Sequence, residues 1–475
     1  MLFLISLNLF PQSFGFGDYD EEDEFPGLPA SNQGFSLFDT GIEIKINGKA
    51  EAQLKLFFEE INFNETIRQG NIFNGSLNFS ASGSFADAVI NLDITPSYVP
   101  ISIDEAYVRA FFGSLSITGG VRKLSWGKAD SFGPLDVINP LDYSDLSNIS
   151  DPQSIKIARP MLHASYRINY ASRLEAVFIP WFEEHKFANT GMWMPMQITG
   201  LPDMAADYAA QVFYSLTSLP LPDAARQLIL RDMEAWINSG ALNNFYPDTN
   251  YLNYAQAGLR YTTSIRSNDL GFQYYYGRLG RPAVTITETG FVPPLGFNTD
   301  LIKLNIAYNP YHHFGVDLAR VIGSFNIRAE AGANITSDLD GRDGSVYNPA
   351  LVWSLGFDRG FSGFNINVQG SGNIILFHNN INSSPMLDTQ AGSNMTQTRL
   401  TLVLSRSFFR DELDLKLTSL WGIEDRDFLF MPGIYWSKDS FYAELSAGFF
   451  LGDENGELGQ YKNNGFFKIL LGYRF

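Results

Sequence analysis

Residues 42 to 58 read IEIKINGKAEAQLKLFF. Ile42, Ile44, Ile46, Ala50, Ala52, Leu54 and Leu56 occupy one set of alternating positions, and Glu43, Lys45, Asn47, Lys49, Glu51, Gln53 and Lys55 the other. Successive side chains of a β-strand point to opposite faces, so this period of two builds one oily face and one ionic face. It recurs in Ala88, Ile90, Leu92 and Ile94, in Phe325, Ile327, Ala329, Ala331, Ala333 and Ile335, and in Phe441, Ala443, Leu445, Ala447, Phe449 and Leu451. Strands of soluble sandwiches run about five or six residues, whereas a tilted strand crossing a bilayer needs about nine to eleven. These segments are of the longer kind. Turn signals such as Phe112-Gly113-Ser114, Arg266 to Asp269, Arg410-Asp411-Glu412 and Lys438-Asp439 separate them. The pattern predicts an all-β fold, a closed antiparallel transmembrane β-barrel of about sixteen to eighteen strands, with an even number expected.

Composition agrees and removes alternatives. The chain has 475 residues, 40 Phe, 22 Tyr and 42 Gly, and its overall hydropathy is too low for a bundle of apolar membrane helices. Without any Cys, a thiolate nucleophile, a disulfide framework and a Cys-ligated metal centre are excluded. A formal charge of −18 argues against nucleic acid as a partner, because such binding rests on neutralising phosphates.

Three segments depart from the alternating pattern. Residues 1–17, MLFLISLNLFPQSFGFG, have an apolar core of signal-peptide length, too short to span a bilayer. Residues 18–40 begin with DYDEEDE, read as a solvated acidic spacer, and residues 41–475 as the barrel. Within it, residues 202–240 read as two short helices split by Pro220 and Pro222, a helical loop insertion acting as a lid or constriction, with an oligomer contact as the lesser reading.

The last residues, GFFKILLGYRF, place Phe467, Ile469, Leu471, Tyr473 and Phe475 on one face. This resembles the C-terminal signature of Gram-negative outer-membrane β-barrels, a last strand ending in Phe. The resemblance implies the bacterial cell outer membrane as location, its lipids as surroundings and the outer-membrane assembly machinery as a partner that reads Phe475.

A second resemblance lies in GGVRKLSWGKADSFGPLDVINPLDYSD, Gly119 to Asp145. Its Trp-Gly-x-x-Asp and Asp-Val-Ile-Asn-Pro-x-Asp runs resemble those of a family of large bacterial outer-membrane barrel proteins known chiefly as a domain of unknown function. The matching positions include Gly120, Arg122, Trp126, Gly127, Asp130, Asp136, Val137, Asn139, Pro140 and Asp142, while Lys123 stands where Gln is more usual. The resemblance implies a barrel with a transport role. Genes of that family often neighbour efflux-type transporters, which implies as an alternative a component working with an inner-membrane efflux or lipid transporter.

If the oily face meets lipid, the other face lines the lumen, and basic residues lead there. Such a lumen either favours anionic or carboxylate-bearing solutes or pairs its charges across strands into a wet wall. The expected function is an outer-membrane channel for passive movement of small solutes. Its pore-lining and constriction candidates are Arg109, Arg122, Trp126, Asp130, Asp136, Asn139, Asp142, Arg167, Arg260, Arg328 and Glu330. Pro134, Pro140 and Pro152 deny the stretch from Lys123 to Ser154 a continuous strand, so it is expected to fold at the pore mouth or into the lumen. A surface adhesin would place its binding surface in the loops. An outer-membrane hydrolase would need a nucleophile beside one of five histidines, and His163 with Ser165 shares a face by ordinary alternation alone. His312-His313 lacks further ligands at metal-site spacing, so no enzyme, metal or cofactor is expected.

Overall fold

The computed structural model describes residues 42–58, 73–96, 100–196, 222–227, 231, 247–288, 302–384 and 387–475. The segments read as signal peptide and acidic spacer, and most of the helical insertion, lie outside the described residues. Within the insertion, the N–H groups of Ala225 and Arg226 donate to the Pro222 carbonyl in a helical turn.

Eighteen long strands form one sheet. They are β1 (Glu43–Phe57), β2 (Phe73–Ser82), β3 (Ala86–Ile94), β4 (Ile101–Phe112), β5 (Leu115–Arg122) and β6 (Arg159–Asn169). Next come β7 (Ser172–Ile179), β8 (Gln256–Ile265), β9 (Asn268–Arg278), β10 (Pro310–Ile322), β11 (Phe325–Thr336) and β12 (Ala350–Phe361). The last are β13 (Phe364–Ile375), β14 (Thr396–Phe408), β15 (Leu413–Gly422), β16 (Asp427–Lys438), β17 (Phe441–Gly452) and β18 (Phe466–Arg474). Each pairs antiparallel with the next, and β18 pairs with β1, Ala50 opposite Tyr473. The sheet is therefore closed and has no edge, the condition for placing backbone amides in lipid. Gly48 and Phe475 exchange both backbone hydrogen bonds, 2.9 and 3.0 Å, at the seam. A Cβ at Gly48 would sit 2.9 Å from the Ser76 carbonyl and within the Phe475 ring, so the terminal aromatic closes over a position that has to be glycine.

The alternation turns into two surfaces as the sequence predicts. Val108, Leu162, Leu259, Phe314, Leu355, Leu445 and Leu471 stand exposed on the outside, while Lys55, Arg260, Asp317, Glu330, Gln369 and Lys468 are buried inside. Moving one large apolar side chain from water into lipid contributes about 1.5–3 kcal/mol, so the outer band fixes the barrel in a bilayer.

The two ends of the barrel differ. Turns at one end are tight, with Gly113, Arg266, Gly323 and Asp439 in the left-handed region at φ of 66°, 60°, 63° and 51°, the geometry two-residue hairpins require. Both described chain ends lie there. Long connections, 123–158, 180–255, 279–309 and 453–465 among them, leave the other end.

An eighteen-stranded barrel encloses more space than wall side chains can fill. Two apolar clusters inside it take up part of that space. One joins Leu124, Trp126 and Ile138 of the 123–158 loop to Met161, Val177, Ile179, Tyr275 and Tyr311 on β6–β10. The other joins Tyr143, Leu146, Ile149 and Ile155 of the same loop, and Trp193, to Phe57, Val403, Leu420, Leu429, Phe450 and Phe466 on β1 and β14–β18.

Candidate functional site

The loop from Lys123 to Ile157 leaves β5, crosses the lumen and returns to β6. Asn139 fixes its two ends: its Oδ1 accepts from Leu124 N–H at 2.7 Å, and its Nδ2 donates to the carbonyls of Ile157 at 2.9 Å and Arg122 at 3.2 Å. The Asp-Pro step at Asp151 starts the short helix Pro152–Ile155, whose first N–H groups the Asp151 carboxylate accepts. Lys156 pairs with Asp136 at 2.5 Å and bonds the Ser125 hydroxyl. The sequence supplies these ties locally, because Asp and Asn beside Pro fix turns through their own side chains.

Strands far away in sequence hold the middle of the loop. Glu330 of β11 accepts backbone N–H groups from Lys128, from Ala129 at 2.8 Å and from Leu135 at 3.4 Å. Gly127, at φ 103°, makes room, since a Cβ there would collide with the Glu330 carboxylate. Arg328 pairs with Asp130 and, at 2.6 Å, with Asp358 of β12, while Asn367 of β13 donates to Asp130 at 2.8 Å. Gln369 of β13 accepts from Ser131 N–H at 3.1 Å, and Gln273 of β9 donates to the Leu135 carbonyl at 2.7 Å. Across the lumen, Lys55 of β1 pairs with Asp145, and Lys468 of β18 donates to Asn148 at 3.3 Å. The loop is thus pinned to opposite walls.

A second inward arm follows β7. Residues 142–143 pair in parallel with 186–187, Lys186 meets Asp142 at 2.6 Å, and Leu141 N–H donates to His185 Nδ1 at 3.0 Å. Burial, with Arg281 and Arg159 nearby, pushes His185 down to about 4, so this ring is a neutral acceptor.

A cavity of about 300 Å³ remains on the long-loop side. Phe132, Val137, Ile138, Leu141 and Phe182 give it an apolar side, and Asn334, Ser371, Asn373 and Gln397 a polar wall. Its ionisable lining comprises Asp136, Glu183, Glu424, Asp425 and Glu457 with Arg159, Arg278, Arg399 and His185.

The sequence-derived candidates separate on this geometry. Asp136 and Asn139 line the cavity, Asp130, Arg328 and Glu330 clamp the loop, and Asp142 ties it to the second arm. Trp126 is buried behind the loop, packed where a Cβ on Gly258 would lie 2.7 Å from its ring. Arg260 is buried too, bonded to Asp317 at 2.8 Å and Gln273 at 2.6 Å. Arg109 pairs with Asp87 at 2.6 Å, Arg122 lies over the Tyr107 ring at 5.1 Å, and Arg167 is exposed at the short-turn end opposite Arg173. Sequence reading missed Gln273, Gln369, His185 and Glu457 as site residues, because their partners Leu135, Ser131, Leu141 and Arg399 lie on elements 44 to 238 residues away and leave no local pattern.

Most of the lumenal bases are matched by an acid. Besides the pairs above, Arg399 meets Glu457 at 2.7 Å, Lys468 meets Glu444 at 3.1 Å and Lys123 meets Asp104 at 2.7 Å. The histidines have structural settings. His163 bonds Glu175 at 3.1 Å, an acid from the neighbouring strand that sequence spacing did not reveal. His312 and His313 point to opposite faces: His312 faces outward against Tyr274, and His313 bonds Asn334 and Gln273 inside. Among the described residues no group of three or more His, Cys, Asp or Glu is placed to hold a metal ion.

A closed barrel with an apolar exterior and a loop pinned across its lumen defines a transmembrane β-barrel protein of the large, internally constricted kind. The chain belongs to the family described as "Protein of unknown function (DUF1302)", which matches residues 57–348. No curated protein matches it. Solved structures similar to it include OpdK of Pseudomonas aeruginosa with vanillate, at 8% identity, TM-score 0.45, with 91% of this chain and 98% of that one covered. A BenF-like porin from Pseudomonas fluorescens Pf-5 matches at 8% identity, TM-score 0.46, over 91% and 98%. OmpF of Salmonella typhi in complex with daunomycin matches at 7% identity, TM-score 0.41, over 92% and 99%.

Proposed function

We propose that this protein is a channel of the bacterial outer membrane through which small solutes move passively, with the 123–158 loop as its fixed constriction. The observation that carries this reading is the loop itself. It is tied to β1, β9, β11, β13 and β18, which divides a wide lumen without filling the polar wall of β11–β14. A solute would enter the cavity from the long-loop side and pass between the apolar loop surface and the amides of Asn334, Asn373 and Gln397. That pairing of one oily and one amide-rich surface suits small amphipathic molecules.

Charge selectivity in this proposal is weak. Paired bases set little net field, and the cavity lining itself carries more carboxylates than guanidinium groups, so the anion preference that a count of lumenal bases suggests is replaced by a slight preference for cations. Reconstitution in planar bilayers tests both parts. Discrete conductance steps with a reversal potential displaced modestly toward the cation value are expected in a salt gradient. A folded preparation without conductance would overturn the channel, and marked anion selectivity would overturn the charge argument.

A further inference from the structure

Charged residues on the outward face of the barrel follow a pattern that neither the lumen nor the constriction uses. On the described barrel strands, those in outward register near the short turns are Arg320 on β10, Arg359 on β12, Arg406 on β14 and Lys438 on β16. None of the outward positions on the described strands carries Asp or Glu. The remaining outward base, Arg278, lies at the long-loop end, where it donates to the carbonyls of Tyr308 and Asn253. Lys438 sits 3.5 Å from Glu412 of the adjacent turn. A base facing lipid is unfavourable unless it lies near the interface or meets an anion.

Two of these bases lie over aromatic rings. The Arg406 guanidinium lies 4.7 Å from the Phe364 ring and 4.9 Å from the Phe408 ring, and Arg359 lies 4.7 Å from Phe325. A guanidinium over a ring keeps its charge, and the N–H groups of Arg406 can meet a phosphate in the two-pronged geometry guanidinium groups favour. Arg359 Nε is shielded from solvent and has no hydrogen-bond partner.

A groove of about 540 Å³ on the outer surface begins at Arg406 and is lined by Leu404, Leu417, Pro432, Leu445, Ala447 and Phe467. It exists because Pro432 cannot donate to the ladder: pairing of β16 with β17 runs from Phe430–Phe449 to Gly433–Ser446 and skips the positions between. From Phe364 on β13 to Phe467 on β18 are five strand spacings of about 4.8 Å, about 24 Å in all and close to an extended acyl chain.

We propose that this face is a binding site for an anionic glycerophospholipid, its phosphate on Arg406, with Arg359 two strands away on the same face adding to the positive field, and one acyl chain in the groove over Pro432 and Ala447. The site rests on the membrane placement proposed above. Short turns of bacterial barrels face the periplasm, so the lipid belongs to the periplasmic leaflet.

Native mass spectrometry of the intact, detergent-solubilised barrel tests this. Dioleoylphosphatidylglycerol, dioleoylphosphatidylcholine, dihexanoylphosphatidylglycerol and inorganic phosphate are titrated separately. The dioleoyl anionic lipid is expected to form a one-to-one adduct at least about fivefold more readily than its zwitterionic counterpart. The double variant Arg359→Gln/Arg406→Gln is expected to abolish that difference, and Arg266→Gln, at a distant turn, to preserve it. Equal retention of the two dioleoyl lipids, or a preference that survives in the double variant, would overturn the phosphate contact. Equal binding of the short-chain lipid or of phosphate alone would overturn the groove. Should the double variant lose its heat-modifiable migration, Arg406→Lys takes its place: a lowered preference supports the two-pronged contact, and an unchanged one overturns it. Because the measurement needs no bilayer, a barrel without conductance would leave this result standing, and loss of lipid preference would leave the channel standing.

Discussion

Replacing Glu330 by glutamine should loosen the loop while leaving the barrel intact. The carboxylate accepts three backbone N–H groups, from Lys128, Ala129 and Leu135, on a loop otherwise held by side chains of other strands. Three bonds to a carboxylate at about 1.5 kcal/mol each give about 4.5 kcal/mol, whereas glutamine keeps two neutral bonds at about 1 kcal/mol each and turns its own N–H groups toward Leu135, a loss of about 2.5 kcal/mol. At about 1.4 kcal/mol per factor of ten, the released state becomes about 60-fold more populated. Cleavage of a transiently open segment follows the population of the open form when reclosing is fast. Trypsin should therefore cut after Lys128 tens of times faster in Glu330→Gln than in the parent, and single-channel records should become noisier. A cleavage rate within twofold of the parent, in protein that still shows heat-modifiable migration, would refute the clamp.

Other consequences follow from individual contacts. Asn139→Ala removes three bonds joining the two ends of the loop and should destabilise the barrel by about 2–3 kcal/mol, read as a lower midpoint in heat-modifiable gel migration. Gly258→Leu should cost about 1–3 kcal/mol by overpacking Trp126, and Trp126→Ala in the same chain should recover part of that loss; no recovery would show that the collision lies elsewhere. His185 is held at about 4 against an ordinary 6.5, so an unfolded or released segment binds the proton that the packed ring refuses. Its contact with Leu141 N–H is therefore intact above pH 6.5 and weakens as pH falls toward about 4. Hydrogen exchange at the Leu141 amide, corrected for intrinsic rate, should rise over that interval, and His185→Asn should flatten the rise.

The structural difference between the two faces of each strand was legible because lipid and lumen demand opposite chemistry of alternate positions. Ile44 and Lys45 reveal their sides by themselves, and so do Phe467 and Lys468. Turn positions were legible for a similar local reason, since Gly113 lacks a Cβ and Asp439 has a short polar side chain, both of which a left-handed backbone admits. His312 and His313 show what adjacency alone leaves out: neighbours in a Pro-containing stretch, they are sent to opposite faces because β10 is a strand there.

The amino-acid sequence by itself determined that this is a membrane-spanning sheet, because the period and the strand length are each properties of a few neighbouring residues. It also marked the 123–158 stretch as a loop, since proline removes ladder donors wherever it stands. Which residues grip that loop was decided only by closure of the barrel. Glu330 lies about two hundred positions from Lys128, and Lys55 ninety from Asp145, and nothing in either neighbourhood encodes the other. The same holds for the charge of the lumen. Counting bases along strands predicts a positive interior, but the acids that answer them, such as Asp87, Asp104, Asp317 and Asp358, meet their bases across strands or bulges whose placement the closed sheet alone sets.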